Sequence, residues 1–203
     1  MIQGSSEWVA ARLGKLTASR LSDAIAKTKT GYGASRANLK AALIAERLTG
    51  VPQDTYINGA MQWGTETEPQ ARAAYSFFRD CEVEQVGFIE HPTIAMAGAS
   101  PDGCVGDDGL IEIKAPNTST HIETLLSGAI PDKYVVQMQF QMACTGRQWC
   151  DFASFDPRLP ERLRLFVRRI ERDPARIDQL EYEARAFLDE VDKTIAALEK
   201  VAA

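Results

Sequence analysis

With 203 residues, 45% of them hydrophobic and 25% charged, the chain can bury one sizeable core and is expected to form a single domain over 1–203. No apolar run approaches the roughly 20 residues of a membrane span and no signal-peptide pattern opens the chain, which argues against a membrane partner and for a cytoplasmic protein. The net charge of −5 neither advertises nor forbids nucleic-acid binding, while two histidines and four cysteines without C-x-x-C spacing speak against zinc, an iron–sulfur cluster and disulfides.

Ser5 or Ser6 can cap a short first helix in which Trp8, Val9 and Leu13 face inward, until Gly14 breaks it. A second helix is expected from Thr17-Ala18-Ser19 to about Lys27. Thr17 and Ser19 read most simply as caps and Arg12 as a surface charge. A sharper reading is an anion site, in which free N–H groups at the helix start join the Ser19 hydroxyl and the Arg12 fork. Residues 27–36 read as a flexible basic loop, either a plain connection or a DNA-contacting arm through Lys27, Lys29, Tyr32 and Arg36. Ser35 can cap a helix from about Arg36 to Thr49, ended by Gly50. Asn58 to Arg79 is expected to be mostly helical despite Pro69, with Trp63 and Tyr75 as core anchors. Glu66, Glu68 and Arg72 form its polar face, and Glu68 and Arg72 are spaced as an i,i+4 ion pair. A carboxylate on this helix could equally become a metal ligand.

Glu82 to Ile89, Ile94 to Ala99 and Leu110 to Ala115 read as strands. The last two are expected to pair as a hairpin around Gly106-Asp107-Asp108-Gly109, because Gly and Asp tolerate tight-turn backbone angles. Alternation then sets Glu112 and Lys114 on one strand face and Ile111 and Ile113 on the other. A Glu-x-Lys pair alone is usually a solvated surface pair. Asp102, after Ser100-Pro101, changes the reading: two carboxylates and an ammonium converge in a D-(x)9-E-x-K arrangement. Carboxylates suit Mg²⁺. A lysine beside a metal-bound water can orient or deprotonate it, or stabilise charge on a phosphate.

A second helical block starts near Thr120, pauses at Gly128 to Pro131, and resumes from Asp132, a reasonable N-cap, to Thr145. Gln137 and Gln141 share a face among Met138, Phe140 and Met142. They read as surface polarity, or as amides that hold a water, a lysine or a phosphate. Gln148 to Phe155 and Leu163 to Ile170 are a fourth and fifth strand about an Asp156-Pro157-Arg158 turn. Pro174 to about Val201 is a long helix with Ile177, Leu180, Leu188, Val191, Ile195 and Leu198 as apolar positions. The element order is that of an α/β domain, a mixed central β-sheet flanked by helices.

Over about residues 5–170 the chain resembles the phage lambda exonuclease family, the YqaJ-like viral recombinases of the PD-(D/E)xK nuclease superfamily. The resemblance rests on Glu7-Trp8-x3-Arg12-Leu13-Gly14-x2-Thr17-Ala18-Ser19, Trp63-Gly64-x3-Glu68-x2-Ala71-Arg72, Ser100-Pro101-Asp102-Gly103, Glu112-Ile113-Lys114 and Tyr134-x2-Gln137-x-Gln139. It implies a PD-(D/E)xK, restriction-endonuclease-like core and a metal-dependent deoxyribonuclease of the alkaline-exonuclease type. Such an enzyme degrades one strand of linear duplex DNA from the 5′ end and leaves a 3′ overhang. The resemblance further implies a toroidal homotrimer, a single-strand annealing recombinase as partner and a phage or prophage origin. By the same resemblance, Asp102, Glu112 and the Ile113 carbonyl bind two Mg²⁺ ions, replaceable by Mn²⁺, and Glu68 serves the second ion or its waters. Lys114 activates the attacking water and Gln137 lies beside it. Arg12, Ser19 and Ser100 capture a 5′ phosphate, and Met61 parts the terminal base pairs. Two other readings stay open: a PD-(D/E)xK endonuclease or single-strand nuclease, and a non-catalytic DNA-end-binding ring protein. Intact Asp102, Glu112 and Lys114 argue against the last.

Overall fold

The computed structural model describes residues 1–29, 31–53 and 59–202. Helix α1 (Ser6–Arg12) is capped by Ser5, whose side chain accepts from the Trp8 N–H. Val9 points outward, contrary to expectation, and the helix buries none of its residues fully. The expected second helix is broken up. Leu16–Thr17 is strand β1, residues 18–20 make one 3-10 turn, and only Leu21–Ile25 is helical (α2). Lys27–Thr28 (β2) and Gly31–Tyr32 (β3) pair antiparallel, so the expected loop is a small hairpin.

Helix α3 (Ala34–Thr49) starts two residues earlier than expected and is capped at Gly33. The Ser35 hydroxyl donates to the Asp23 carbonyl instead of capping. Gly50 closes the helix in the left-handed region, as expected. Helix α4 (Gly59–Arg79) carries Pro69 internally; Asn58, expected to begin it, lies outside the described residues. Tyr75 is a fully buried anchor, whereas Trp63 is half-buried under the Arg158 guanidinium.

Two short strands, β4 (Val83–Glu84) and β5 (Ile89–Glu90), replace the single strand expected over 82–89. Strand β6 (Ala97–Ala99) does not enter the hairpin either. It lies parallel to β1 and antiparallel to β5 in a separate three-stranded sheet. Gly98 permits this pairing, because a Cβ there would run into the Phe88 ring and the Ile89 carbonyl. The hairpin is built by β7 (Gly103–Val105) and β8 (Gly109–Lys114), with Val105 opposite Gly109 and Gly106 at φ 53° in the turn.

After β8 come α5 (Thr118–Ser127), capped by Asn117, and α6 (Asp132–Thr145), preceded by Pro131, with no side-chain cap from Asp132. Strands β9 (Trp149–Phe155) and β10 (Leu165–Glu171) follow, then α7 (Pro174–Ala202). The central sheet is mixed, in order β10-β9-β8-β7-β4, with β8 and β9 parallel and the other pairs antiparallel.

Strand alternation sorts β8 into two cores. Ile111 and Ile113 pack with Ala71 and Tyr75 of α4 on one face of the sheet. Leu110 packs on the other face with Met138 and Phe140 of α6 and Leu180 and Phe187 of α7. Leu198, expected among the apolar positions of α7, is exposed. The result is α4 against one face and α6, then α7, against the other. Of the two polar residues of β8 on the α6 face, Glu112 and Lys114, Glu112 cannot reach water: it is fully buried. Among the described residues no helix is long and apolar enough to cross a membrane.

Candidate active site

A carboxylate sealed beneath a helix must find donors, or its burial costs several kcal/mol. Glu112 finds three. Oε1 accepts from Gln137 Nε2 at 2.7 Å and is paired with Lys114, and Oε2 accepts from Gln141 Nε2 at 2.6 Å. The two glutamines stand one turn apart on α6, so their amides reach both oxygens of one carboxylate. The surface-pair reading of Glu112 and Lys114 is therefore wrong.

Asp102 precedes β7 and is turned toward β8, where its Oδ2 accepts from the Ile113 N–H at 2.6 Å. Burial raises its pKa well above the carboxylate range, and the negative charges of Glu112 and Glu68 add to this. Burial alone would depress the Lys114 pKa, but Glu112 and Asp102 more than reverse that and hold it above the ordinary lysine value. Lys114 is thus a cation in this arrangement, suited to hold an anion and to donate hydrogen bonds, not to give up its proton. Glu68 lies across the cleft on α4 and pairs with Arg72, as the spacing predicts. Burial raises its pKa, with Arg72 opposing and Glu112 reinforcing the shift. The Arg72 guanidinium also approaches the Asp102 carbonyl at 3.4 Å, tying α4 to the hairpin.

Met61, Glu68, Asp102, Lys114 and Tyr134 line an open cleft of about 440 Å³. Among the described residues, no three acidic, histidine or cysteine side chains stand as a ready-made ion site in this arrangement. The donor set nevertheless has the chemistry of a hard divalent cation: three carboxylates and a strand backbone, all oxygen. Burial raises Asp102 and Glu68 first and the repulsion between the carboxylates adds to it; a bound cation would relieve that repulsion.

A second pocket, of about 360 Å³, opens beside the cleft and is lined by Trp8, Arg12, Thr17, Ser19 and Met61. Ser100, at the end of the strand segment that leads to Asp102, accepts from the Trp8 indole at 2.9 Å and from Arg12 Nη1 at 3.5 Å. The Arg12 guanidinium lies over the Trp8 ring, 3.9 Å from its centroid. Burial and the nearby Arg20, against Glu46, push the Arg12 pKa down to about 10, a strain that a bound anion would relieve. Thr17 and Ser19 hydroxyls are 3.2 Å apart on its wall. The expected helix N-terminus is absent here, since residues 18–20 form one 3-10 turn. Side chains, not a helix dipole, make this pocket attractive to an anion.

The 27–36 residues do not form one DNA-facing set. Lys27 and Tyr32 bond Glu183 of α7 at 2.8 and 2.9 Å. Arg36 is buried against Phe187 and Tyr32 and bonded to the Ala24 carbonyl and Glu190, so it is not a DNA contact. Lys29 stays exposed. Sequence reasoning left two site residues without a site role: Trp8, which holds Ser100, and Tyr134, whose ring lies 5.1 Å from Lys114 Nζ; for Gln141 it foresaw a shared face with Gln137 but not the partner, Glu112. Both Trp8 and Tyr134 sit inside the quoted motifs, which is the signal that could have found them.

Residues 7–148 match the model of the YqaJ-like viral recombinase domain. Among solved structures, the chain is similar to the alkaline exonuclease LHK-Exo from Laribacter hongkongensis, with 56% identity, 98% of each chain covered and a TM-score of 0.91. LHK-Exo in complex with dAMP gives the same identity and coverage and a TM-score of 0.92. A phage-related exonuclease from Haemophilus somnus shares the fold at 17% identity, covering 91% of this chain and 96% of its own, with a TM-score of 0.70. No curated protein matches. Fold and site thus define a nuclease with a PD-(D/E)xK-like core. Within that class, the chain belongs to the YqaJ-like viral recombinase family.

Proposed function

We propose that this nuclease is a DNA exonuclease that works with Mg²⁺ from the 5′ end of linear duplex DNA, degrades one strand 5′→3′ and leaves a 3′ overhang for recombination by strand annealing. The observation that carries the reading is Met61, which lines both the carboxylate–lysine cleft and the arginine pocket. A 5′ phosphate taken up by Arg12, Ser19 and Ser100 would bring the adjoining phosphodiester toward Asp102 and Lys114. Met61, 54% exposed between the two, offers an apolar surface for the terminal base as it unpairs. Unpairing costs about a few kcal/mol per step, and stacking on Met61 offsets part of it.

Asp102, Glu112, Glu68 and the Ile113 carbonyl are the groups to hold the ions, with Mn²⁺ able to replace Mg²⁺. When bound, the ions supply a nucleophilic water near neutral pH and charge stabilisation at the phosphate and leaving oxygen. Lys114 holds its charge against the attacked phosphate, and Gln137 keeps Glu112 in place beside it. Lys29 is an exposed cation of the β2–β3 hairpin available to a DNA backbone; Lys27, also exposed, and Tyr32 are bonded to Glu183 and could join it by releasing that carboxylate. LHK-Exo is an alkaline exonuclease with a dAMP complex, a nucleoside monophosphate of the kind such an enzyme would release.

A homotrimeric ring reconciles the net charge of −5 with a DNA substrate, since only its channel needs to be basic. The product then calls for a single-strand annealing protein, and the setting is cytoplasmic. The test is digestion of linear duplexes labelled at either end, carrying 5′ phosphate or 5′ hydroxyl, beside a closed circle. Early release of 5′ label, a phosphate preference and an intact circle support the reading. Cutting of the circle refutes it in favour of an endonuclease.

A further inference from the structure

We infer that Gln141 is a positioning residue of the catalytic centre, which fixes the second oxygen of Glu112 and thereby sets the ion affinity of the site. This rests on the reading above that Glu112 serves the bound ions.

Gln141 is fully buried on α6 between Phe140 and Met142, both fully buried themselves. A leucine or methionine of similar volume would fill that space without a polar group to satisfy, so an amide there needs a reason. Its reason is Glu112. Gln141 Nε2 donates to Oε2 at 2.6 Å, the only donor that oxygen has among the described contacts, whereas Oε1 is shared by Gln137 and Lys114. The amide is itself oriented from behind: Cys150 Sγ stands 4.0 Å from Gln141 Oε1 and turns the nitrogen toward Glu112. With Gln137 alone, a carboxylate held at one oxygen can rotate about that contact. With both glutamines, its plane is fixed before any ion arrives. Groups that orient a metal ligand from behind typically change ion affinity or activity by about 10- to 100-fold when removed.

Gln139 provides the internal control. It is also a buried amide of α6, but it bonds the Glu171 carbonyl at 2.8 Å and the Asp173 N–H at 3.0 Å, away from Glu112. The experiment is calorimetric Mn²⁺ binding to the intact protein without DNA, for Gln141→Met, Gln141→Asn, Gln139→Met and Glu112→Gln. Mg²⁺ dependence of nuclease rate is measured alongside. The expected result is an ion dissociation constant raised about 10-fold or more in both Gln141 variants, with the rate largely restored by excess Mg²⁺. Gln139→Met should bind the ion as the native protein does. Gln141→Asn keeps an amide in the core, so it answers the question if the methionine variant does not fold. Unchanged ion binding in the folded Gln141 variants, with binding lost in Glu112→Gln, overturns the role of Gln141 while leaving the ion site standing. Undiminished binding in Glu112→Gln overturns the ion-site reading, and the role of Gln141 with it.

Discussion

Replacing Arg12 by alanine separates recognition of the DNA end from the chemistry of cleavage. In this structure Arg12 makes one 3.5 Å contact with Ser100 and stacks on Trp8, so its removal strands no buried carboxylate. The neighbouring Glu46 keeps its bonds from the Gly14 and Gln53 N–H groups at 2.9 and 3.2 Å. The pocket wall should therefore survive. On the proposed reading, what would be lost is one charge-assisted hydrogen bond to the 5′ phosphate, in a pocket dry enough to pull the Arg12 pKa down to about 10. Such a bond contributes about 1.5–3 kcal/mol. At about 1.4 kcal/mol per factor of ten, that is roughly 10- to 150-fold in kcat/KM on 5′-phosphorylated duplex. On a 5′-hydroxyl duplex, where no phosphate occupies the pocket, the loss should stay within about 3-fold, the scale of minor packing changes. The assay is initial digestion rate at limiting concentrations of each duplex, with thermal melting as a check on folding. Equal losses on both substrates would refute the argument that Arg12 reads the end phosphate.

Lys114→Ala should abolish cleavage while fluorescence anisotropy still reports DNA binding; recovery of cleavage in this variant would remove the lysine from the chemistry. Asp151 is fully buried and bonded by Tyr75 at 2.8 Å and Arg169 at 2.9 and 3.1 Å. Asp151→Ala should lower unfolding stability in urea by about 3–5 kcal/mol, since it leaves those donors unpaired away from the active cleft. Burial alone would raise the pKa of Asp156, but bonds from Arg158 and Thr118 outweigh it and bring the pKa down to about 2. A depressed carboxylate pKa stabilises the fold above the unfolded value of about 4 and loses that contribution as pH falls toward 2. The stability gap between the native protein and Asp156→Asn should therefore shrink between about pH 4 and pH 2. A gap independent of pH would show that the Arg158 contact carries no stabilisation.

The elements with strong local signals were legible in the sequence. Helices α3, α4, α6 and α7 follow apolar periodicity, and Gly50 marks a helix end that the structure closes in the left-handed region. The faces of β8 followed from alternation alone. The misread pieces are short and depend on distant partners. Residues 94–99 have the composition of a hairpin strand, but β1 claims Ala97 and Gly98 from eighty residues away, and β7 takes the hairpin with only three residues. Arg36 read as a solvated cation because nothing near it in sequence announces Ala24 and Glu190 as its partners. The acids Asp102 and Glu112 were legible by type and order. Their burial was not, because it depends on α6 closing over β8.

Three cations of the N-terminal half share one debt to α7. Lys27 pairs with Glu183 across 156 residues of sequence, Arg36 with Glu190 across 154, and Arg47 with Asp192 across 145. At about 5–20 residues per second, a ribosome delivers the acidic partners about 8–30 s after the basic ones. Through that interval the β2–β3 hairpin lacks Glu183, and α3, with Leu39 and Leu43 in the finished core, packs on α2 without the cover of α7. Glu46, the α3 residue on the wall of the arginine pocket, thus stands on a helix that is made early and locked late.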